Sequence, residues 1–120
     1  MSAGTDLYVE TLGPRHAMTS LLFMHGGMGL DHTCFRPFVD PLADVTQLVY
    51  MDHRLNGRSP RTSARSVTLR TMVEDAAAVA AATCEGKVIP VGHSFGAVVA
   101  LAMAAWVPSS VHGVVLVGSG

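Results

Sequence analysis

Apolar residues in this chain fall into short runs, and between them lie segments of helical spacing. Leu7–Leu12 is a short candidate strand, closed by Gly13-Pro14. Leu21–Met24 is continuously apolar, the pattern of a strand buried on both faces. Phe35–Leu42 predicts a short helix, with Pro37 acceptable in its first turn. Gln47–Met51 reads as the next strand, and residues 53–67, rich in Arg, Ser, Gly and Pro, as loop. Leu69, Met72, Val73, Ala76 and Val79-Ala80 recur at helical spacing, so a helix is predicted from Leu69 to about Thr83, capped by Thr68 and ended near Gly86. Lys87–Val91 is then a strand, Phe95–Trp106 a helix closed by Pro108, and Val111–Val117 a final strand. Strands alternating with helices predict an α/β fold with a mostly parallel sheet and right-handed crossovers.

Composition narrows the class. At 120 residues, 49% hydrophobic and 14% charged, the chain can bury a core and is not disordered. A net charge of −1 argues against nucleic acid or an acidic membrane as a partner. The most apolar window, Val88–Val107, is interrupted by Pro90, Gly92, His93 and Ser94, and its unbroken part, Ala97–Val107, fits a core helix. The N-terminus shows no basic start or apolar run, so no signal peptide is expected. Cys34 and Cys84 lack C-x-x-C spacing and read as buried free thiols of a reducing, cytoplasmic protein. Arg54, Arg58, Arg61, Arg65 and Arg70 fall in a stretch without an acidic residue. The plain expectation is a solvated loop and helix start; the sharper one is an anion-attracting rim beside a site.

The candidate chemistry sits in Gly92-His93-Ser94-Phe95-Gly96-Ala97, between the strand and helix predicted on either side. A serine at the apex of a sharp strand-to-helix turn is held in a strained conformation with its hydroxyl exposed, and small residues at Gly92, Gly96 and Ala97 let strand and helix pack close. The same serine, opening a helix, could be an ordinary N-cap. Upstream, His25-Gly26-Gly27-Met28-Gly29 follows an apolar strand. Such a glycine-rich strand end lets backbone N–H groups approach a ligand and stabilise developing negative charge. A third block, Tyr50-Met51-Asp52-His53-Arg54-Leu55-Asn56-Gly57-Arg58-Ser59, also follows an apolar run.

Together the three blocks resemble the α/β-hydrolase superfamily, most closely its proline iminopeptidase-like and haloperoxidase- or esterase-like branches, over about residues 5–120. The resemblance implies a serine nucleophile at Ser94 and an oxyanion hole from the backbone N–H groups of Phe95 and Gly27, with Met28 as the alternative donor. His25, Gly26, Gly92, His93 and Gly96 are then structural supports of the site. Met28 stands where iminopeptidases usually carry proline, which weakens the aminopeptidase assignment but not the hydrolase one. The family's strand order places the strand ending at His25 beside the strand ending at Gly92, so the crevice of a topological switch point opens between them.

The resemblance also implies what this chain lacks. The acid and the catalytic histidine of the family follow the nucleophile, and after Ser94 there is no Asp or Glu and only His112. The expectation is therefore an N-terminal portion, residues 1–120, of a hydrolase domain, truncated after the strand that follows the nucleophile helix. Its substrate would be a small molecule with an ester, amide or similar acyl bond. The missing C-terminal portion, or self-association, would cover the open edge strand. A non-catalytic binding or interaction module is the alternative. No cofactor is implied. No metal site is expected, since His16, His32 and His112 show no ligand-like pairing and His53 belongs to a loop-shaping block.

Overall fold

A computed structural model describes residues 7–14, 16, 18–26, 31–36, 38–54, 56–59 and 67–118. Five strands form one sheet: β1 (Val9–Leu12), β2 (Thr19–Met24), β3 (Gln47–Met51), β4 (Lys87–His93) and β5 (Val115–Val117). Two helices, α1 (Leu69–Thr83) and α2 (Phe95–Trp106), precede and follow β4. The strand order is β1-β3-β2-β4-β5. β2, β3, β4 and β5 run parallel, and β1 pairs antiparallel with β3, with Val9 opposite Met51. From β2 the chain crosses to β3 on one side, and from β4 to β5 on the other. β2 and β4 are neighbours, with Met24 opposite Gly92. Their carboxyl ends thus flank the switch point, where a crevice opens.

Alternation along the central strands builds a core on each face. Leu22, Met24, Val49 and Met51 pack with Met72, Val73, Ala76, Val79 and Ala80 of α1 and with Val99, Ala100 and Met103 of α2. Phe23, Leu48, Tyr50 and Val91 form the opposite core with Phe35. Each fully buried Leu, Val or Met side chain among them contributes about 1.5–3 kcal/mol, and each alanine less. Thr68 caps α1, its hydroxyl accepting the Thr71 N–H while the Thr71 hydroxyl accepts the Thr68 N–H, both orphan donors of the first turn. α1 ends at Cys84, whose extended backbone leads into β4, rather than at Gly86. No helix among the described residues is long and apolar enough to cross a membrane.

β2 begins at Thr19 rather than Leu21 and β4 runs on to His93 rather than Val91, and three other expected elements are replaced or shortened. In place of a helix over 35–42 there are two 3-10 turns, His32–Cys34 and Asp40–Asp44. Asp31 starts the first, accepting the Thr33 N–H at 2.9 Å, and Pro41 in the first turn of the second starts a separate one. Pro37 lies outside the described residues. The first strand begins at Val9 because the Tyr8 N–H turns to the Ser59 hydroxyl, 2.9 Å away. The last strand is reduced to Val115–Val117, preceded by one bridge from Val111 to Val88. Gly113, with no side chain to pack, sits in the gap.

In the arginine stretch, Arg54 departs from the solvated loop expected of it, while Arg58 and Arg70 are exposed. Arg54 is buried and grips the buried Asp75 of α1 through two hydrogen bonds, Nε to Oδ2 at 2.7 Å and Nη2 to Oδ1 at 2.8 Å. Arg58 is exposed over the Tyr8 ring, and Arg70 is exposed near Glu74. Arg61 and Arg65 lie outside the described residues. Cys84 is a free thiol, half-buried rather than buried; the Cys34 side chain lies outside what is described.

Candidate active site

Ser94 links β4 to α2 at φ 54°, ψ −114°, and among the described residues it alone has positive φ without being glycine. Such a conformation costs of order 1–3 kcal/mol and persists only where its surroundings impose it. Here the Ser94 N–H donates to Val117 O at 3.1 Å, and its carbonyl accepts the Ala97 N–H at 3.0 Å. The serine is exposed, and its hydroxyl makes no capping hydrogen bond to α2. An ordinary N-cap has extended backbone and a bonded side chain; Ser94 has neither.

Glycines make the turn possible by removing atoms. A Cβ on Gly92 would collide with the Gly96 carbonyl and the Ala97 Cα. One on Gly96 would collide with the carbonyls of Met24 and His25 at the end of β2. One on Gly26 would stand 2.7 Å from His93 Nδ1, 2.9 Å from His93 O and 3.0 Å from Ser94 Cβ. The end of β2, the end of β4 and the first turn of α2 are thereby pressed together. Phe95 is the first residue of α2, so its N–H has no intrahelical acceptor. Gly27, Met28 and Gly29 lie outside the described residues.

The histidines occupy distinct places. His25 is buried; its Nδ1–H donates to Gly26 O at 3.0 Å and its Nε2 accepts the His53 N–H at 3.0 Å. Burial holds its pKa below the usual value, which keeps it neutral. His53 packs edge-on against His25, ring centroids 4.3 Å apart, and near Phe95 at 6.5 Å. Burial and then the neighbouring His25 push the His53 pKa down to about 3. Neither ring nitrogen of His53 has a hydrogen-bond partner among the described residues. A base so weak, with both nitrogens enclosed, is poorly matched to taking a serine proton near neutral pH. The His93 ring lies so near Gly26 that a Cβ there would stand 2.7 Å from Nδ1, and a Cβ on Gly118 would stand 3.5 Å from the ring's Cδ2 and Nε2. His112 precedes β5, and its N–H donates to Val88 O at 2.8 Å, near the amino end of β4.

Sequence reasoning missed the exposed pair of His16 with Glu85, 2.7 Å apart, and the buried pairing of His32. His32 Nδ1 donates to the buried Asp52 Oδ1 at 2.8 Å, as in the acid–histidine half of a triad. Asp52 follows β3, two strands from β4, and His32 packs on Tyr8, ring centroids 5.1 Å apart, toward β1. With strands about 4.8 Å apart, that pair lies on the far side of β2 from Ser94. The signal for it was the Asp52-x-Arg54-x-x-Gly57-x-Ser59 block, whose polar residues are buried. A groove of about 370 Å³ near this pair is lined by Tyr8, Glu10, His32, Thr33, Arg36 and Arg58, and does not include Ser94.

A strained, exposed serine thus stands at a strand-to-helix turn, beside the end of β2 at the switch point of the sheet. The chain belongs to the α/β-hydrolase fold family, whose model matches residues 19–119. It is similar to the crystal structure of the proline iminopeptidase-related protein from Thermus thermophilus, with 32% identity and a TM-score of 0.87 over 97% of this chain and 41% of that one. A thermophilic esterase from Thermogutta terrifontis is 28% identical, with a TM-score of 0.79 over 93% of this chain and 40% of that one. An epoxide hydrolase from Bacillus megaterium shares the fold at 21% identity, with a TM-score of 0.81 over 96% of this chain and 39% of that one. The chain thus spans about two-fifths of the length of these relatives.

Proposed function

We propose that this chain is the N-terminal portion of a serine-nucleophile hydrolase that cleaves an ester, amide or similar acyl bond. The observation that carries the reading is Ser94: positive φ, exposure and a hydroxyl that does not cap α2, at the crevice between β2 and β4. Ser94 Oγ attacks the acyl carbon while a histidine takes its proton. The resulting oxyanion is held by the N–H groups of Phe95 and Gly27, with Met28 as the alternative to Gly27. The free Cys84 thiol fits placement in the cytoplasm. The acyl substrate is a small molecule.

The histidine and its acid come from outside these 120 residues, because no Asp or Glu follows Ser94 and the His32–Asp52 pair is out of reach. That same gap favours the second reading, a non-catalytic module. Hydrolysis of a p-nitrophenyl ester by the chain alone, and by the chain supplied with a family C-terminal portion in cis or in trans, separates the two. The hydrolase reading expects silence from the chain alone and Ser94-dependent turnover on completion. No turnover in either form favours the module. Turnover by the chain alone contradicts the need for a further portion.

A further inference from the structure

The groove of about 370 Å³ that lies across β2 from Ser94 is lined by polar and charged side chains, with Tyr8 as its fixed point. The Tyr8 N–H donates to the Ser59 hydroxyl at 2.9 Å, and its carbonyl accepts the Asp52 N–H at 3.1 Å. The ring packs on His32, and the Arg58 guanidinium lies over it, 5.3 Å from the centroid. The Tyr8 hydroxyl bridges two opposite charges: it donates to Glu10 Oε2 at 3.2 Å and accepts a long bond from Arg58 Nη1 at 3.4 Å.

The two arginines of the groove differ. Arg36 is committed to carboxylates: Nε and Nη2 donate to Asp40, at 3.2 and 2.9 Å, and Nη1 donates to Glu10 Oε1. The Arg58 side chain pairs with no carboxylate among the described residues. Stacking occupies a face of its guanidinium and leaves the N–H edge, exposed here, to meet the two oxygens of a carboxylate. Acceptors lie close by. Glu10 uses one lone pair on each oxygen, for Arg36 and Tyr8, and keeps another on each. The Arg36 hydrogen bond holds its carboxyl below the usual range, so it is ionised at neutral pH. His32 donates Nδ1–H to Asp52, and Nε2 of that tautomer is a further acceptor.

Charge decides what fits. Glu10 and Asp40 together outweigh Arg36, so a plain anion on Arg58 would also meet surplus negative charge. A plain cation on Glu10 would meet the unpaired Arg58. A molecule with both charges on neighbouring atoms satisfies both. We propose that the groove binds a small zwitterion with adjacent carboxylate and ammonium groups, the chemistry of a free α-amino acid. The carboxylate lies on the Arg58 fork and the ammonium on Glu10 and His32 Nε2, with the Tyr8 hydroxyl between them. A peptide, whose terminal charges are separated, satisfies only one of the two. Ser94 does not line the groove, so the site is distinct from the nucleophile and goes beyond the hydrolase reading.

Glycine is the probe, titrated into the 120-residue chain, or into a longer form containing it if that chain is insoluble, and followed by NMR. Shifts at the Tyr8 and Thr33 amides and at Arg58 Nε–H should saturate, with a Kd in the millimolar range, while the Phe95 amide stays still. N-acetylglycine lacks the ammonium and glycinamide lacks the carboxylate. Each should bind about tenfold more weakly, the loss of one charge-assisted contact. Arg58→Gln should weaken glycine about tenfold and erase its advantage over glycinamide. Glu10→Gln should erase its advantage over N-acetylglycine. Should Glu10→Gln fail to fold because Arg36 loses a partner, the Arg58 variant and the comparison of the three molecules still decide. Arg70→Gln, which removes an exposed arginine outside the groove, is the control and should change nothing. Shifts with glycine that never saturate, or binding that survives Arg58→Gln, overturn the proposal. N-acetylglycine binding as tightly as glycine would mark a plain anion site, and glycinamide doing so a plain cation site; either overturns the zwitterion.

Discussion

Gly26 lies against Ser94, so that a Cβ at position 26 would stand 3.0 Å from the serine Cβ and 2.9 Å from the His93 carbonyl oxygen. The His93 imidazole, also within reach, can swing aside; the carbonyl cannot move without moving the elbow. Gly26→Val should cost about 1–3 kcal/mol of stability and reduce the reactivity of Ser94. Gly113→Ala, where nothing lies within 4 Å of the added Cβ, is the control that should change little. Urea midpoints of the two variants check the difference.

The Arg54–Asp75 pair should behave as a buried charge pair. Both side chains are at most 2% exposed, and the Asp75 hydrogen bonds hold the Arg54 pKa above its usual value. Asp75→Ala removes the buried carboxylate that accepts two of the arginine's hydrogen bonds and should cost about 3–5 kcal/mol, whereas replacing both partners by apolar residues of similar volume should cost much less. Salt should weaken the pair little, since burial shields it from screening. Thermal melts of the single and double variants at two ionic strengths test this.

His53 predicts a pH dependence of known sign. Its pKa is about 3 when folded and near the ordinary 6.5 when unfolded, so between those values the unfolded chain binds more protons. Stability associated with His53 is complete above about pH 6.5 and is lost as pH falls toward 3. His25, lowered in the same direction by burial, adds to the loss. Tm measured from pH 7.5 to pH 4 should fall less steeply in His53→Leu than in wild type. Equal slopes would contradict the buried neutral histidine.

How much of this was legible in the sequence depended on how local the cause is. The bounds Gln47–Met51, Leu69–Thr83 and Phe95–Trp106 match the apolar spacing because Thr68, the elbow glycines and Pro108 punctuate the chain on the spot. The pairings of His32 with Asp52 and Arg54 with Asp75 were not legible, because strand order rather than spacing creates them. The segment 35–42 misled for a related reason: Asp31 and Pro41 divide it into two turns, and Phe38 stays exposed while Phe35 packs on Phe23. Val111–Val114 has strand composition but makes a single bridge, since Gly113 and the turn at Pro108–Ser110 set its path.

The open edge predicts association. Val115, Leu116 and Val117 of β5 are 45%, 41% and 43% exposed, and no charge or proline protects them. An apolar strand left unpaired on one side is a template for another chain. Size-exclusion chromatography of the 120-residue chain should show oligomers or precipitation, relieved when strands that cover β5 are supplied or when Leu116→Lys is introduced. A monodisperse wild-type monomer would contradict this.

The most direct test of the account is covalent labelling of a form that turns over an ester. After treatment with a fluorophosphonate, peptide mapping should place the adduct on Ser94, and Ser94→Ala should lose both label and turnover. An adduct on another serine, or turnover that survives Ser94→Ala, would contradict it.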